Sequence, residues 1–84
     1  MDFLEYRGYL VQPNSHFYPE MNKWGIGFTV AKNSGAHFSS TTFTLPDYFC
    51  DTEEDALYHG LEAAKHRVNA HLDNADGTLD ALEP

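Results

Sequence analysis

Helical periodicity occurs once in this chain, and it comes after every stretch that reads as strand. Ala56, Leu57, Gly60, Leu61, Ala64, Val68 and Leu72 recur at the spacing of one helix face. Ahead of them, β-branched and aromatic residues cluster in short runs divided by Pro, Asn and Gly. A lone helix can cover only one face of a sheet. The expected fold is therefore α+β: an antiparallel sheet of three or four strands with one C-terminal helix packed on one face, in the order β-β-β-(β)-α. With 84 residues the chain has room for a single domain. We place that domain at residues 1–74, and a flexible acidic tail at 75–84.

The clearest strand is Lys23 to Ala31, where Trp24, Ile26, Phe28 and Val30 alternate with Gly25, Gly27, Thr29 and Ala31. The large side chains should face the helix, against Leu57, Leu61, Ala64 and Val68. The small ones leave a flat opposite face. Glu5 to Gln12 reads as an earlier strand, with either Tyr9 and Val11 or Tyr6 and Leu10 on the uncovered side. Gln12 to Asn22 reads as a loop because it holds two prolines and two asparagines. Lys32 to Gly35 reads as a turn, and Ala36 to Leu45 as a further strand. Phe38 and Phe43 have opposite parity there, so a bulge near Ser39 to Thr41 is expected. Asp47 to Cys50 is a connector or a short edge strand.

The helix start is marked by Asp51 or Thr52 as N-cap, with Asp51 and Glu54 at capping-box spacing. Glu53, Glu54 and Asp55 fill the first turn, where the helix dipole favours negative charge. Residues 1–46 balance three acids with three bases, whereas residues 47–84 hold ten acids against Lys65 and Arg67, so the net charge of −8 lies in the C-terminal half. Nucleic-acid binders need clustered Lys and Arg, and such a cluster is missing, so no nucleic-acid partner is expected. The acids keep a small protein soluble, or they form a face for a basic partner.

The stretch from Phe49 to Val68, FCDTEEDALYHGLEAAKHRV, resembles the helix start of HicB-type proteins, roughly T-x-E-E-A followed by an amphipathic helix. Thr52, Glu53, Glu54, Ala56 and Leu57 sit much as in that pattern, with Asp55 as an additional residue, and the preceding strands come in the same order. The resemblance implies a β-β-β-α module. It also implies an antitoxin-like role, in which such a module covers a small RNA-cleaving toxin.

Motifs for chemistry are sparse. His59, Glu62 and His66 share a helical strip, but His59 and His66 lie about 10 Å apart along the axis at ~1.5 Å per residue, too far for one zinc ion. A solvated polar face explains the strip, and a packed imidazole explains His71. Leu72 to Glu83 places Asn74, Asp76, Gly77, Asp80 and Glu83 at calcium-loop positions, but Leu72 stands where the first carboxylate is required. Cys50 reads as packed and inert. It excludes an internal disulfide framework and fits a reducing, cytoplasmic setting. Ser39, Ser40, Thr41 and Thr42 belong to no nucleophile elbow, and Gly25 and Gly27 to no phosphate loop. Strand aromatics such as Tyr6, Tyr9, Trp24 and Phe28 read as core rather than as base-stacking platforms.

No apolar run approaches a membrane span, and the acidic N-terminus does not read as a secretory signal. No enzymatic activity, metal or cofactor is expected. The expected function is a non-catalytic protein-interaction module, antitoxin-like or regulatory, that binds a protein partner or a second copy of itself. The interaction residues would be Gly25, Gly27 and Thr29 on the flat face, or Glu53, Glu54 and Asp55 at the helix start. An acidic nucleic-acid mimic that fills a basic cleft is the alternative, and a double-stranded-RNA-domain-like binder is opposed by the charge.

Overall fold

A computed structural model describes residues 3–35 and 37–74. It contains β1 (Leu4–Tyr6), β2 (Tyr9–Tyr18), β3 (Lys23–Ser34), β4 (His37–Cys50) and α1 (Glu53–Asn74). The strands form one antiparallel sheet in the order β1-β2-β3-β4, and α1 packs on one face. This is the expected α+β architecture with four strands. The tail at 75–84, and with it most of the calcium-loop-like run, lies outside the described residues.

The first expected strand is in fact a hairpin. Arg7 and Gly8 both have positive φ, 51° and 87°, which a tight two-residue hairpin turn requires. Tyr6 therefore pairs with Tyr9, and the alternation restarts across the turn. As a result Tyr6, Tyr9 and Val11 all belong to the helix-side core, and Leu10 faces the other way.

Gln12 to Tyr18 was expected to be loop and is strand. Pro13 is tolerated because β1 ends its pairing at Val11, so beyond that point β2 has β3 on one side only. The true turn is Pro19 to Asn22, closed by the Met21 amide donating to the Tyr18 carbonyl at 3.1 Å. The bulge also lies elsewhere. Pairing of β4 with β3 is regular from His37 to Leu45, and then jumps from Leu45↔Ile26 to Phe49↔Gly25. Pro46, Asp47 and Tyr48 fall in the gap, where a missing proline N–H interrupts no ladder. Phe38 and Phe43 simply face opposite sides.

The core consists of Tyr9, Val11, Phe28 and Val30 from the sheet and Ala64 and Val68 from the helix. Burying each large apolar side chain stabilises the fold by about 1.5–3 kcal/mol. Ile26 is buried too, whereas Trp24 is half-buried and lies against Phe17, their rings tilted by 51° at 5.0 Å between centroids. The helix presents Ala56, Gly60, Ala64 and Val68 as its buried line, and Leu57 and Leu61 flank it half-buried. Small residues lead because the helix sits low: a Cβ on Gly60 would lie 2.5 Å from the Gly27 carbonyl oxygen. Thr52 is the N-cap, its hydroxyl accepting the Asp55 amide at 3.1 Å, while Asp51 ion-pairs with Lys23 instead. No helix among the described residues is long and apolar enough to cross a membrane.

Candidate functional site

The sheet is wider than the helix that covers it. Helix α1 lies over β2 and β3, and at its C-terminal end it is tied to the β1–β2 turn. The Tyr6 hydroxyl and Arg7 Nη1 donate to Asn69 Oδ1 at 2.9 and 2.7 Å, and Arg7 forms a bidentate pair with Asp73 at 3.0 and 3.1 Å. The β4 side is left open. Between α1 and β4 runs a trough with an apolar floor. One section, of about 340 Å³, is lined by Phe28, Leu45, Ala63, His66, Arg67 and Ala70. A second section, of about 290 Å³, shares Leu45 and adds Ile26, Tyr48, Phe49, Cys50 and His59. The Arg67 guanidinium lies over the Phe43 ring at 4.8 Å, and Phe43 stacks on Phe28.

Of the six candidate residues, three lie on the sheet face opposite α1 and three at the start of α1, so the fold does not bring the two groups together. Gly25 and Gly27 are buried by the chain itself, and Thr29 is half-buried. A Cβ on Gly25 would meet the Tyr18 ring at 2.7 Å, and one on Gly27 would meet the Phe43 carbonyl oxygen at 2.9 Å. The row is thus a floor for this chain's own side chains. With Tyr18, His16 and Phe49 as walls it forms a slot of about 120 Å³. Thr29 joins a side-chain ladder across three strands: Asn14 Nδ2 donates to Thr29 Oγ1 at 2.9 Å, and the Thr29 and Thr42 hydroxyls bond at 3.0 Å. Thr42 is exposed, so the ladder stops at the β4 edge.

Glu53, Glu54 and Asp55 are exposed in the first helical turn, with Ser15 Oγ donating to Glu53 Oε2 at 3.4 Å. Asp47 and Asp51 are also exposed. Cys50 is half-buried, and its thiol is pushed above its ordinary value, first by burial and then by Asp55 and Asp51, with Lys23 opposing. Since the thiolate is the nucleophile, that shift works against reactivity. His59, Glu62 and His66 are exposed on the helix, and His71 stands edge-on to Tyr9 at 6.1 Å. Among the described residues no group of three or more His, Cys, Asp or Glu side chains is placed to hold a metal.

None of the six expected interaction residues lies on β4, although the uncharged, Ser- and Thr-rich run from Ala36 to Leu45 reads as an edge poorly defended against pairing. Phe38 is 57% exposed, Tyr48 64% and Phe49 41%. The signal was present in the opposite parity of Phe38 and Phe43 and in the uncharged run from Phe38 to Pro46. The chain matches no protein-family model and no curated protein.

Proposed function

We propose that this chain is a non-catalytic protein-interaction module, antitoxin-like or regulatory, that works through its uncovered β4 side. The supporting observation is the unequal cover of the sheet. Strand β4 is long, has no neighbour on its outer side among the described residues, and exposes Tyr48 and Phe49 beside an apolar trough and Phe38 on the opposite face. Exposed edges and contiguous apolar surface are features that proteins cover, charge or use. The interaction surface assigned here is β4, with Thr29 contributing through Thr42, in place of the buried Gly25 and Gly27.

The test is affinity capture by the full chain from its source cell, compared among variants. A protein that is retained by the native chain and lost with Tyr48→Ala and Phe49→Ala supports the reading. Captured proteins, other than copies of this chain, that all survive those changes overturn it. A second reading, the acidic mimic, rests on the clustered and exposed Asp47, Asp51, Glu53, Glu54 and Asp55. It expects capture to fail with Glu53→Gln, Glu54→Gln and Asp55→Asn instead. Either reading expects no mobility shift of duplex RNA or DNA at physiological salt, where non-specific binders retain Kd values of about 10⁻⁴–10⁻⁶ M.

A further inference from the structure

We infer that the partner which covers β4 is a second copy of this chain, joined edge to edge so that two four-stranded sheets become one of eight strands. The inference rests on the reading of β4 as an interaction surface and names its occupant.

The two edges of the sheet differ. The β1 edge is three residues long, includes Glu5, and gives way to β2 at Pro13. Such an edge is short, charged and short of one donor. The β4 edge runs regularly from His37 to Leu45 with no acidic, lysine or arginine residue. It is rich in Ser and Thr, and every second residue along it turns its backbone N–H and C=O outward, where no strand among the described residues receives them.

Charge selects where two copies can meet. Each copy carries −8, all of it from residues 47–84, so two copies repel where those segments approach each other. An antiparallel pairing centred on Thr41 confines contact to the neutral run. In that register Ser40 faces Thr42 of the partner subunit, Ser39 faces Phe43 of the partner subunit, and Phe38 faces Thr44 of the partner subunit. Asp47 would fall opposite Gly35 of the partner subunit, past the end of the pairing strand at His37. No like charges meet.

The side chains also match across the two-fold. The ladder from Asn14 through Thr29 to Thr42 ends at the β4 edge. The register supplies the hydroxyl of the partner's Ser40 as its next member, a cross-strand pairing of the stabilising kind. On the helix side, Phe43 gains a neighbour on the flank that α1 leaves open. Phe38, exposed on the other face, is covered as well.

The experiment combines oligomeric state with register. Sedimentation of the full chain should show a dimer whose fraction rises with salt, because salt screens the repulsion between acidic copies. In a Cys50→Ser background, Thr41→Cys should form an intermolecular disulfide under mild oxidation. Residues facing each other across antiparallel strands lie about 4.5–5.5 Å apart, within disulfide reach. Phe38→Cys should not, because six residues of offset at ~3.3 Å each part the two thiols. Thr42→Lys, which sets two lysines diagonally across the two-fold, should yield a monomer with an unchanged circular-dichroism spectrum. If that variant loses its fold, Thr44→Lys replaces it, with the same expectation. A chain that is monomeric at all concentrations, or equal cross-linking from residues 38 and 41, overturns the inference. The interaction-module reading would still stand if a different protein were captured and lost with Tyr48→Ala and Phe49→Ala.

Discussion

The two halves of the sheet are made of the same strand chemistry and meet opposite fates. In the half under α1, Tyr9, Val11, Phe28 and Val30 are 0–1% exposed. In β4, each residue from His37 to Cys50 is half-buried or exposed. The difference follows from where a single helix can lie. The Arg7 and Tyr6 bonds to Asn69 and Asp73 hold its end toward β1 and β2, and Gly60 lets it settle on the Gly27 backbone. A helix held in that place cannot also shield β4. Stability is therefore concentrated on one side of the molecule and available surface on the other.

The sharpest way to break this division is to remove a buried ring from the covered side. Phe28→Ala should cost about 3–5 kcal/mol, as truncations of buried Phe do, and urea denaturation would read it. That is a large share of the roughly 5–15 kcal/mol typical of folded domains. A loss under ~1 kcal/mol would mean that the cover over β3 is loose. Gly60→Ala is a finer test of how low the helix sits. Alanine favours a helix interior by about 1 kcal/mol over glycine, so an exposed position would gain stability. Here the new Cβ would approach the Gly27 oxygen at 2.5 Å. Overpacking of this kind costs about 1–3 kcal/mol, so a net loss is expected. A gain would show that the helix can lift away.

The covered side was also the legible side. The alternation at Trp24 to Val30 and the i, i+4 run Ala56, Gly60, Ala64, Val68 carry their period in the residue types, so the sheet, the helix and their facing were readable. Three features were not. Arg7 occupies a positive-φ position at which a non-glycine residue is unexpected, so the first hairpin was concealed. Pro13 and Asn14 have loop chemistry but lie where β2 has lost one neighbour, a condition set by the length of β1 rather than by local sequence. Gly25 and Gly27 suggested a surface open to a partner, yet Tyr18 and the β4 backbone already occupy the space. The uncharged run from Phe38 to Pro46 marks β4 as a weakly defended strand, but how far it stays uncovered depends on where the helix comes to rest, which that run does not encode.

Smaller effects sharpen the boundary between the halves. Thr52→Ala removes the hydroxyl that accepts the Asp55 amide. Loss of such a cap costs about 0.5–2 kcal/mol, measured as a shift of the denaturation midpoint. Tyr48→Ala, on the uncovered side and outside the regular pairing of β4, should change stability by no more than about 0.5 kcal/mol. A loss comparable to that of Phe28→Ala would erase the distinction between the two regions.

The smallest effect is expected at the tie that holds the helix to the covered side, and pH is its probe. Asp73 accepts two hydrogen bonds from Arg7, and these hold its carboxyl below the ordinary aspartate value against a weaker desolvation that raises it. A carboxylate whose value is lower folded than unfolded stabilises the fold at pH above its unfolded value. That contribution fades as the pH falls through the folded value. The bond network around Arg7 is exposed, so solvent screens the pair and the stability change should be slight. The local effect should be easier to see. As the pH falls below the ordinary aspartate range, around 4, amide exchange should quicken at Arg7, Gly8 and the last turn of α1, with β4 unchanged. Asp73→Asn should produce the same pattern at neutral pH and remove its dependence on acid. Equal quickening in β4 would mean that the two halves open together.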